Sequence, residues 1–261
     1  MSIFSEKPFE GKTALILGVA NERSLAWSIA QHLHAGGAKL GFNFLGEALE
    51  RRVRPLAESV QADLVEPCNV AEDSQIESIF EKVKEKWGKL DILIHSVAFA
   101  QREDLEGRFV QTSREGFRVA LDISAYSLIA VSRFAEPLME VQGGSIVTLS
   151  YYGAHKVIPN YNVMGVAKAA LESSVRYLAS DLGSKKIRVN AISAGPVKTL
   201  AASGVRNFRT MLAAAEEKTP LRENISADDV GSLAAFLCSP MGRHITGSTL
   251  YVDSGAHIMG A

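Results

Sequence analysis

Short apolar runs alternate along this chain with longer stretches whose apolar residues recur at helical spacing. Thr13–Leu17 (TALIL) is an apolar run after a Gly11-Lys12 turn signal and predicts a buried strand. Ser24–Ala35 follows, with Leu25, Ala26, Ile29, Ala30 and Leu33 on one helix face, Ser24 as a cap residue and Gly36-Gly37 as a stop. The same alternation predicts a strand over Lys39–Phe44, a helix over Glu47–Gln61, and a third strand led in by Asp63–Glu66 and ending near Cys68. A charged amphipathic helix over Asp73–Trp87 and a strand over Leu90–Ser96 come next. Then follow a long helix over Ile123–Glu140 interrupted by Pro137, a strand over Ser145–Ser150, a helix over Asn160–Leu182 and a strand over Ile187–Ser193. Ala194–Glu217 reads as a loop with short helices, Ala227–Cys238 as a helix and Thr249–Val252 as the last strand.

Unbroken apolar strands alternating with helices imply a doubly wound parallel α/β sheet with helices on both faces. No linker, low-complexity tract or repeat interrupts the pattern, so residues 1–261 are expected to form a single domain. In such sheets ligands bind beyond the carboxyl ends of the strands. Chemistry is therefore sought in the residues that follow each strand.

Composition narrows the classes. Hydrophobic residues make up 47% and charged residues 22%, an ordinary globular balance. With 28 basic and 29 acidic residues the net charge is −1, which gives no nucleic-acid or membrane-seeking footprint. Residues 1–10 hold no apolar signal-peptide core, and no run of about 18 apolar residues predicts a membrane span. Cys68 and Cys238 fit no metal-ligand spacing and read as two buried thiols in a reducing, cytoplasmic setting. The six histidines show no paired spacing, so no metal site is expected, and His95 and His155 read as packing or surface residues.

The first strand ends in Gly18-Val-Ala-Asn-Glu-Arg-Ser24. A glycine here permits a tight turn, and the helix behind it points amides and a positive dipole end at a pyrophosphate. Only Gly18 matches the dinucleotide fingerprint, and a plain structural turn explains it almost as well. The second strand ends at Leu45, where many dinucleotide sites place an acid for the ribose; Arg51, Arg52 and Arg54 lie further on and read as solvated helix charges. Asn69-Val70 follows the third strand, and the Asn69 side chain can meet an adenine edge. Ser96-Val-Ala-Phe-Ala100 follows the fourth, with small residues that admit a cofactor closely.

The fifth strand leads into Tyr151, Tyr161 and Lys168. Tyr161 and Lys168 lie seven apart inside the helix expected to start near Asn160, about 700° of turn, so both side chains share one face. A tyrosine beside an ammonium is a proton donor suited to a developing oxyanion. A second pattern, Tyr152-Gly-Ala-His-Lys156, has four-residue spacing but contains Gly153 and precedes Pro159. The helix is expected to begin only after that proline, which leaves Tyr152 and Lys156 on a loop.

These stretches resemble the short-chain dehydrogenase/reductase superfamily, whose fold is of Rossmann type, and within it the enoyl-[acyl-carrier-protein] reductases of bacterial type II fatty acid synthesis. The resemblance rests on Gly18-Val-Ala-Asn, His95–Ala100, Tyr151 with Tyr161 and Lys168, Pro159–Gly165, Arg188–Pro196 and Thr199–Gly204. It implies a hydride passed from NADH to Cβ of a trans-2-enoyl thioester. Tyr161 would hydrogen-bond the thioester oxygen, Lys168 would hold the nicotinamide ribose, and Tyr151 would line the acyl site. Gly18, Ser24, Leu25, Leu45, Asn69, Val70, Val97, Lys168, Val197 and Thr199 would surround the cofactor, and Ala100 would touch substrate. Thr199–Arg209 would form a mobile loop and helix over the acyl pocket.

The family often has glutamine or a basic residue at the Leu45 position and aspartate at the Asn69 position; this chain departs at both, and NADH is expected over NADPH. The resemblance also implies an acyl carrier protein as partner and a homotetramer. Lys198, Arg206 and Arg209 flank the loop and could meet an acidic carrier, or could equally be solvated charges. Two other readings compete: a 3-oxoacyl-[acyl-carrier-protein] reductase or related carbonyl reductase, and a non-catalytic nucleotide-binding module. The former usually shows Asn-Asn-Ala-Gly after strand four and a Tyr–x3–Lys set, where this chain has His95-Ser-Val-Ala98 and Gly165.

The two lysines separate these possibilities. Lys168→Ala is expected to abolish most NADH binding and turnover, whereas Lys156→Ala keeps most of both. Fluorescence titration with NADH and steady-state kinetics read the contrast, and the reverse result would move the site to the four-residue pattern.

Overall fold

The computed structural model describes residues 7–197, 199, 212 and 216–260. Seven strands form one sheet: β1 (Thr13–Leu17), β2 (Lys39–Phe44), β3 (Leu64–Pro67), β4 (Ile92–His95), β5 (Gly144–Ser150), β6 (Ile187–Ala194) and β7 (Thr249–Val252). Their order is β3-β2-β1-β4-β5-β6-β7, and every pairing is parallel. This is the doubly wound Rossmann-type arrangement, in which the order reverses beside β1 and opens a crevice between β1 and β4.

The connections are helices. They are α1 (Leu25–Ala35), α2 (Gly46–Ser59), α3 (Asp73–Trp87), α4 (Arg102–Leu105), α5 (Arg114–Leu121), α6 (Ser127–Met139), α7 (Asn162–Leu182) and α8 (Ala227–Cys238). Successive residues of β1 serve opposite faces. Ile16 packs in one apolar cluster with Ile29 and Leu33 of α1 and Leu237 of α8. Leu15 and Leu17 pack in the other with Ile79 of α3, Val131 of α6 and Leu171 and Val175 of α7. Both faces are therefore covered, which is why consecutive positions of β1, and not only alternate ones, are buried. Burial of each such side chain contributes about 1.5–3 kcal/mol.

Four expectations change. First, α4 and α5 precede the long helix, and a π-helical turn at Asp122–Tyr126 joins α5 to α6. The pattern hid α5 because only Gly116 and Ala120 of it are buried, while Phe117 remains 38% exposed. Second, Pro137 does not interrupt α6, which continues to Met139. Proline there forfeits one backbone bond, but the stripe carrying Ala135 and Met139 stays in the core. Third, α7 begins at Asn162 and not at Asn160, because Asn160 has φ +62, in the left-handed region. Fourth, Cys68 is buried but Cys238 only partly so, although burial pushes their thiols up to about 11 and about 12.

One polar side chain ties the sheet's carboxyl edge together. Asn43, 5% exposed within β2, accepts from the Gly18 amide at 2.9 Å and donates to the Cys68 carbonyl at 3.0 Å. Three neighbouring strand ends are thereby held by one amide group. Asn43→Leu leaves both backbone groups buried without partners, and each such loss costs about 1–3 kcal/mol. Thermal unfolding of this variant is expected to occur several degrees below that of the unaltered chain.

Candidate active site

The crevice starts at Gly18. Its φ is +100, and a Cβ there would lie 2.1 Å from the Ser96 carbonyl oxygen, so the turn and the approach of β1 to β4 both require glycine. Behind it stands the N-terminus of α1. Ser24 is at the cap position, but its hydroxyl donates to the Asn21 carbonyl and makes no cap hydrogen bond; no acidic residue lies in the first turn. The first amides of α1 thus carry no side-chain acceptor, the condition under which a helix end binds a pyrophosphate. That arrangement fits a dinucleotide. Leu25 lies beside it, half-buried.

Leu45 ends the second strand segment and is 54% exposed. Arg51 pairs with Glu47, and Arg54 pairs with Glu50 and lies over the Phe44 ring, so these cations are engaged along their own helix. The Asn69 side-chain Oδ1 accepts from the Ala71 amide at 3.1 Å, which leaves its Nδ2 as the group for an adenine edge. Val70 is buried. After β4, Val97 and Ala100 are half-buried, and the segment between them is clamped by Ser124, whose hydroxyl accepts from the Phe99 amide at 2.9 Å. Val197 is half-buried and its carbonyl accepts from the Thr199 amide at 2.8 Å. Lys198, Arg206 and Arg209, and most of the loop over Thr199–Arg209, lie outside the described residues.

β5 delivers Tyr151, and α7 begins just after Tyr161. The two rings meet edge to face with centroids 4.9 Å apart. Burial raises both hydroxyls above the usual tyrosine value, so both are neutral donors at physiological pH. Tyr161 is the cap residue of α7 and not an interior residue, since Asn160 and Asn162 on either side have positive φ. Its ring lies on Gly153: a Cβ at Gly153 would come within 2.6 Å of it. Lys168 is 6% exposed, and its ammonium donates to the Leu149 carbonyl of β5 at 2.7 Å. Burial lowers this lysine to about 8 despite the opposing charge of Glu172. His95, buried between Thr148 and Ser127, is pushed down to about 3 by burial and by Lys168, and is neutral.

The four-residue pattern is a short turn. Tyr152–Ala154 form one 3-10 turn, and the Lys156 amide donates to the Tyr152 carbonyl at 3.1 Å, so the segment is more ordered than a loop. The Tyr152 hydroxyl donates to the His257 carbonyl, and Lys156 is exposed. A cavity of about 430 Å³ adjoins this turn, lined by Tyr151, Lys156, Pro159, Ser193, Thr219 and Met259 among others; it reaches Tyr151 but not Tyr161 or Lys168.

Three contributors were not anticipated from sequence: Asn43, the glycine pair Gly153 and Gly165, and Glu172. Each left a faint mark, as an amide within an apolar strand, as glycines near a helix start, and as a carboxylate on a buried helix stripe.

A parallel sheet with a glycine turn, an uncapped first helix, two crossed tyrosines and a buried lysine defines a protein of the short-chain dehydrogenase/reductase class. The family model described as enoyl-(acyl carrier protein) reductase matches residues 18–257. The chain belongs to that family. An enoyl-[acyl-carrier-protein] reductase [NADH] of Nostoc sp. is 56% identical over 253 residues, 96% of this chain and 98% of that protein. The solved enoyl-acyl-carrier-protein reductase of Anaplasma phagocytophilum in complex with NAD is 48% identical, with a TM-score of 0.93 over 100% of this chain and 97% of that one. The Bacillus cereus structure, with NADP+ and an indole naphthyridinone, is 51% identical, with a TM-score of 0.95 over 98% and 100%.

Gly165 stands four residues after Tyr161, and a Cβ there would lie 2.8 Å from the Gly153 carbonyl oxygen. Gly165→Ala therefore overpacks the join of turn and helix at a cost of about 1–3 kcal/mol. A lowered melting temperature together with a lowered kcat is expected; an unchanged melting temperature would show the contact to be slack.

Proposed function

We propose that this chain reduces the trans-2 double bond of enoyl thioesters carried on acyl carrier protein, the last step of the type II fatty acid elongation cycle, with NADH as reductant. The observation that carries this reading is the crossed pair Tyr151 and Tyr161 with Gly165 at the four-residue position and Lys168 at the seven-residue position. A carbonyl reductase of the same class would place a lysine at 165, where the Gly153 carbonyl already sits.

When bound, NADH supplies a hydride to Cβ of the enoyl group. The Tyr161 hydroxyl donates to the thioester oxygen, on which negative charge develops. Lys168 would hold the nicotinamide ribose hydroxyls and add positive potential. Tyr151 lines the acyl site and assists delivery of the proton to Cα. Gly18, Ser24 and Leu25 would hold the pyrophosphate end, Leu45, Asn69 and Val70 the adenosine, and Val97, Val197 and Thr199 the rest of the cofactor. Ala100 touches substrate. Beyond β2, Arg51 and Arg54 are paired along their own helix with Glu47 and Glu50 and not turned to a 2′-phosphate, which favours NADH.

The whole chain acts as one domain in the cytoplasm. Among the described residues no helix is long and apolar enough to cross a membrane. The acidic carrier meets the Lys198, Arg206 and Arg209 segment, and four copies assemble. Exposed Phe117 on α5 and Tyr126, Val166 and Tyr177 beside or on α7 supply apolar surface for that assembly.

NADH consumption with crotonyl thioester against acetoacetyl thioester tests the reaction: the first is expected to be turned over and the second not. Tyr161→Phe should lower kcat about 10²–10³-fold with little change in the NADH dissociation constant, because the hydroxyl acts on charge present only in the transition state. Turnover of the acetoacetyl thioester alone would replace this reading with the carbonyl-reductase one.

A further inference from the structure

One more charged group of α7 lies inside the fold. Glu172 is 3% exposed and stands one helical turn beyond Lys168, on the same face. One of its carboxylate oxygens accepts from the Ser150 hydroxyl, and the other lies 2.7 Å from His155 Nε2. Ser150 is the last residue of β5 and is bonded to Tyr151; His155 follows the turn that packs on Tyr161. The carboxylate thus ties the strand that presents Tyr151, and the turn beneath Tyr161, to the helix that carries Lys168.

A carboxylate taken this far out of water is costly unless charge and hydrogen bonds offset the loss. The same holds for the Lys168 ammonium, whose hydrogen bond goes to a neutral carbonyl. Ser150 and His155 offset part of that cost for Glu172, and each of the two buried charges, one helical turn apart, lies in the field of the other. Among the described residues, the groups facing them from neighbouring elements bring no second anion to the lysine. His95 on β4 is neutral, Tyr151 and Tyr161 hold their protons, and His155 contacts Glu172. Tyr251 on β7 is raised by burial and by Glu172, and Asp253 is engaged with His257.

We propose that Glu172 is a positioning residue whose buried carboxylate keeps the Lys168 ammonium charged inside the site while it anchors the strand end that presents Tyr151. This rests on the reading that Lys168 holds the cofactor, but the charge on Lys168 can be measured without it. The opposing charge of Glu172, one turn away on the same face, acts against burial to hold the lysine up, beside the hydrogen bond to Leu149. Removing it lowers the folded-state value of Lys168 below about 8, so the ammonium is lost at lower pH.

Competitive acetylation of the full chain, without substrate or cofactor, read by mass spectrometry at Lys168 across a pH series, gives the midpoint directly. Glu172→Gln is expected to lower that midpoint by about one pH unit, a tenfold change in the proton equilibrium. The basic limb of NADH binding, followed by fluorescence, should move down by the same amount. Glu172→Asp, which withdraws the carboxylate by one methylene, should shift both in the same direction by less, and it decides the matter if the glutamine variant does not fold. Ser150→Ala removes one anchor but leaves the charge, so its Lys168 midpoint should stay in place. An unmoved midpoint in the Glu172 variants, or an equal shift in Ser150→Ala, overturns the proposal. A moved midpoint in a chain that fails to reduce enoyl thioesters would leave the proposal standing and sink the reaction instead.

Discussion

Parallel strands cannot be joined by a tight hairpin, so each connection here must travel back across a face of the sheet before the next strand begins. That single constraint gathers all seven strand carboxyl ends along one edge. It also covers both faces with helices, which explains strands with apolar residues on both sides of the sheet. Residues at the carboxyl ends of β1 to β5 then meet without further contrivance. Gly18 touches the backbone of Ser96, Asn43 spans to Cys68, and Leu149 receives the lysine of α7.

Within that frame the site is a compromise between burial and charge. The two tyrosine hydroxyls become reluctant to ionise as they are enclosed, which suits donors. The lysine becomes reluctant to stay protonated, which suits nothing it has to do. An anion one turn away restores part of the balance, and that anion is itself made tolerable by a serine and a histidine. Polar groups in this region therefore stand or fall together, as expected of a network in a low-dielectric interior.

Periodicity revealed most of the sheet because long apolar runs and helix stripes are local properties. It missed α5, whose buried stripe is two small residues, and overstated the effect of Pro137, which tertiary packing overrides. The family resemblance named Tyr151, Tyr161 and Lys168. The helical argument for their shared face was only half right, since Tyr161 sits at the cap between two residues of positive φ. Asn43 and Glu172 were hidden for a different reason. Each acts on residues far away in sequence or across a strand end, and a polar letter in an apolar stretch does not say what it reaches.

The contact between Gly153 and Gly165 bears on how such a site can change over generations. A lysine cannot be installed at 165 while the Gly153 carbonyl occupies the space beside it, and that carbonyl cannot retreat without disturbing the glycine on which the Tyr161 ring lies. Conversion to the four-residue arrangement would require the turn, the tyrosine and the lysine to be exchanged together. Intermediates with only one exchange would pass through a misfit join. The two spacings of tyrosine and lysine are thus separated by a mutational valley rather than a gradual slope, and drift alone keeps this chain on its own side.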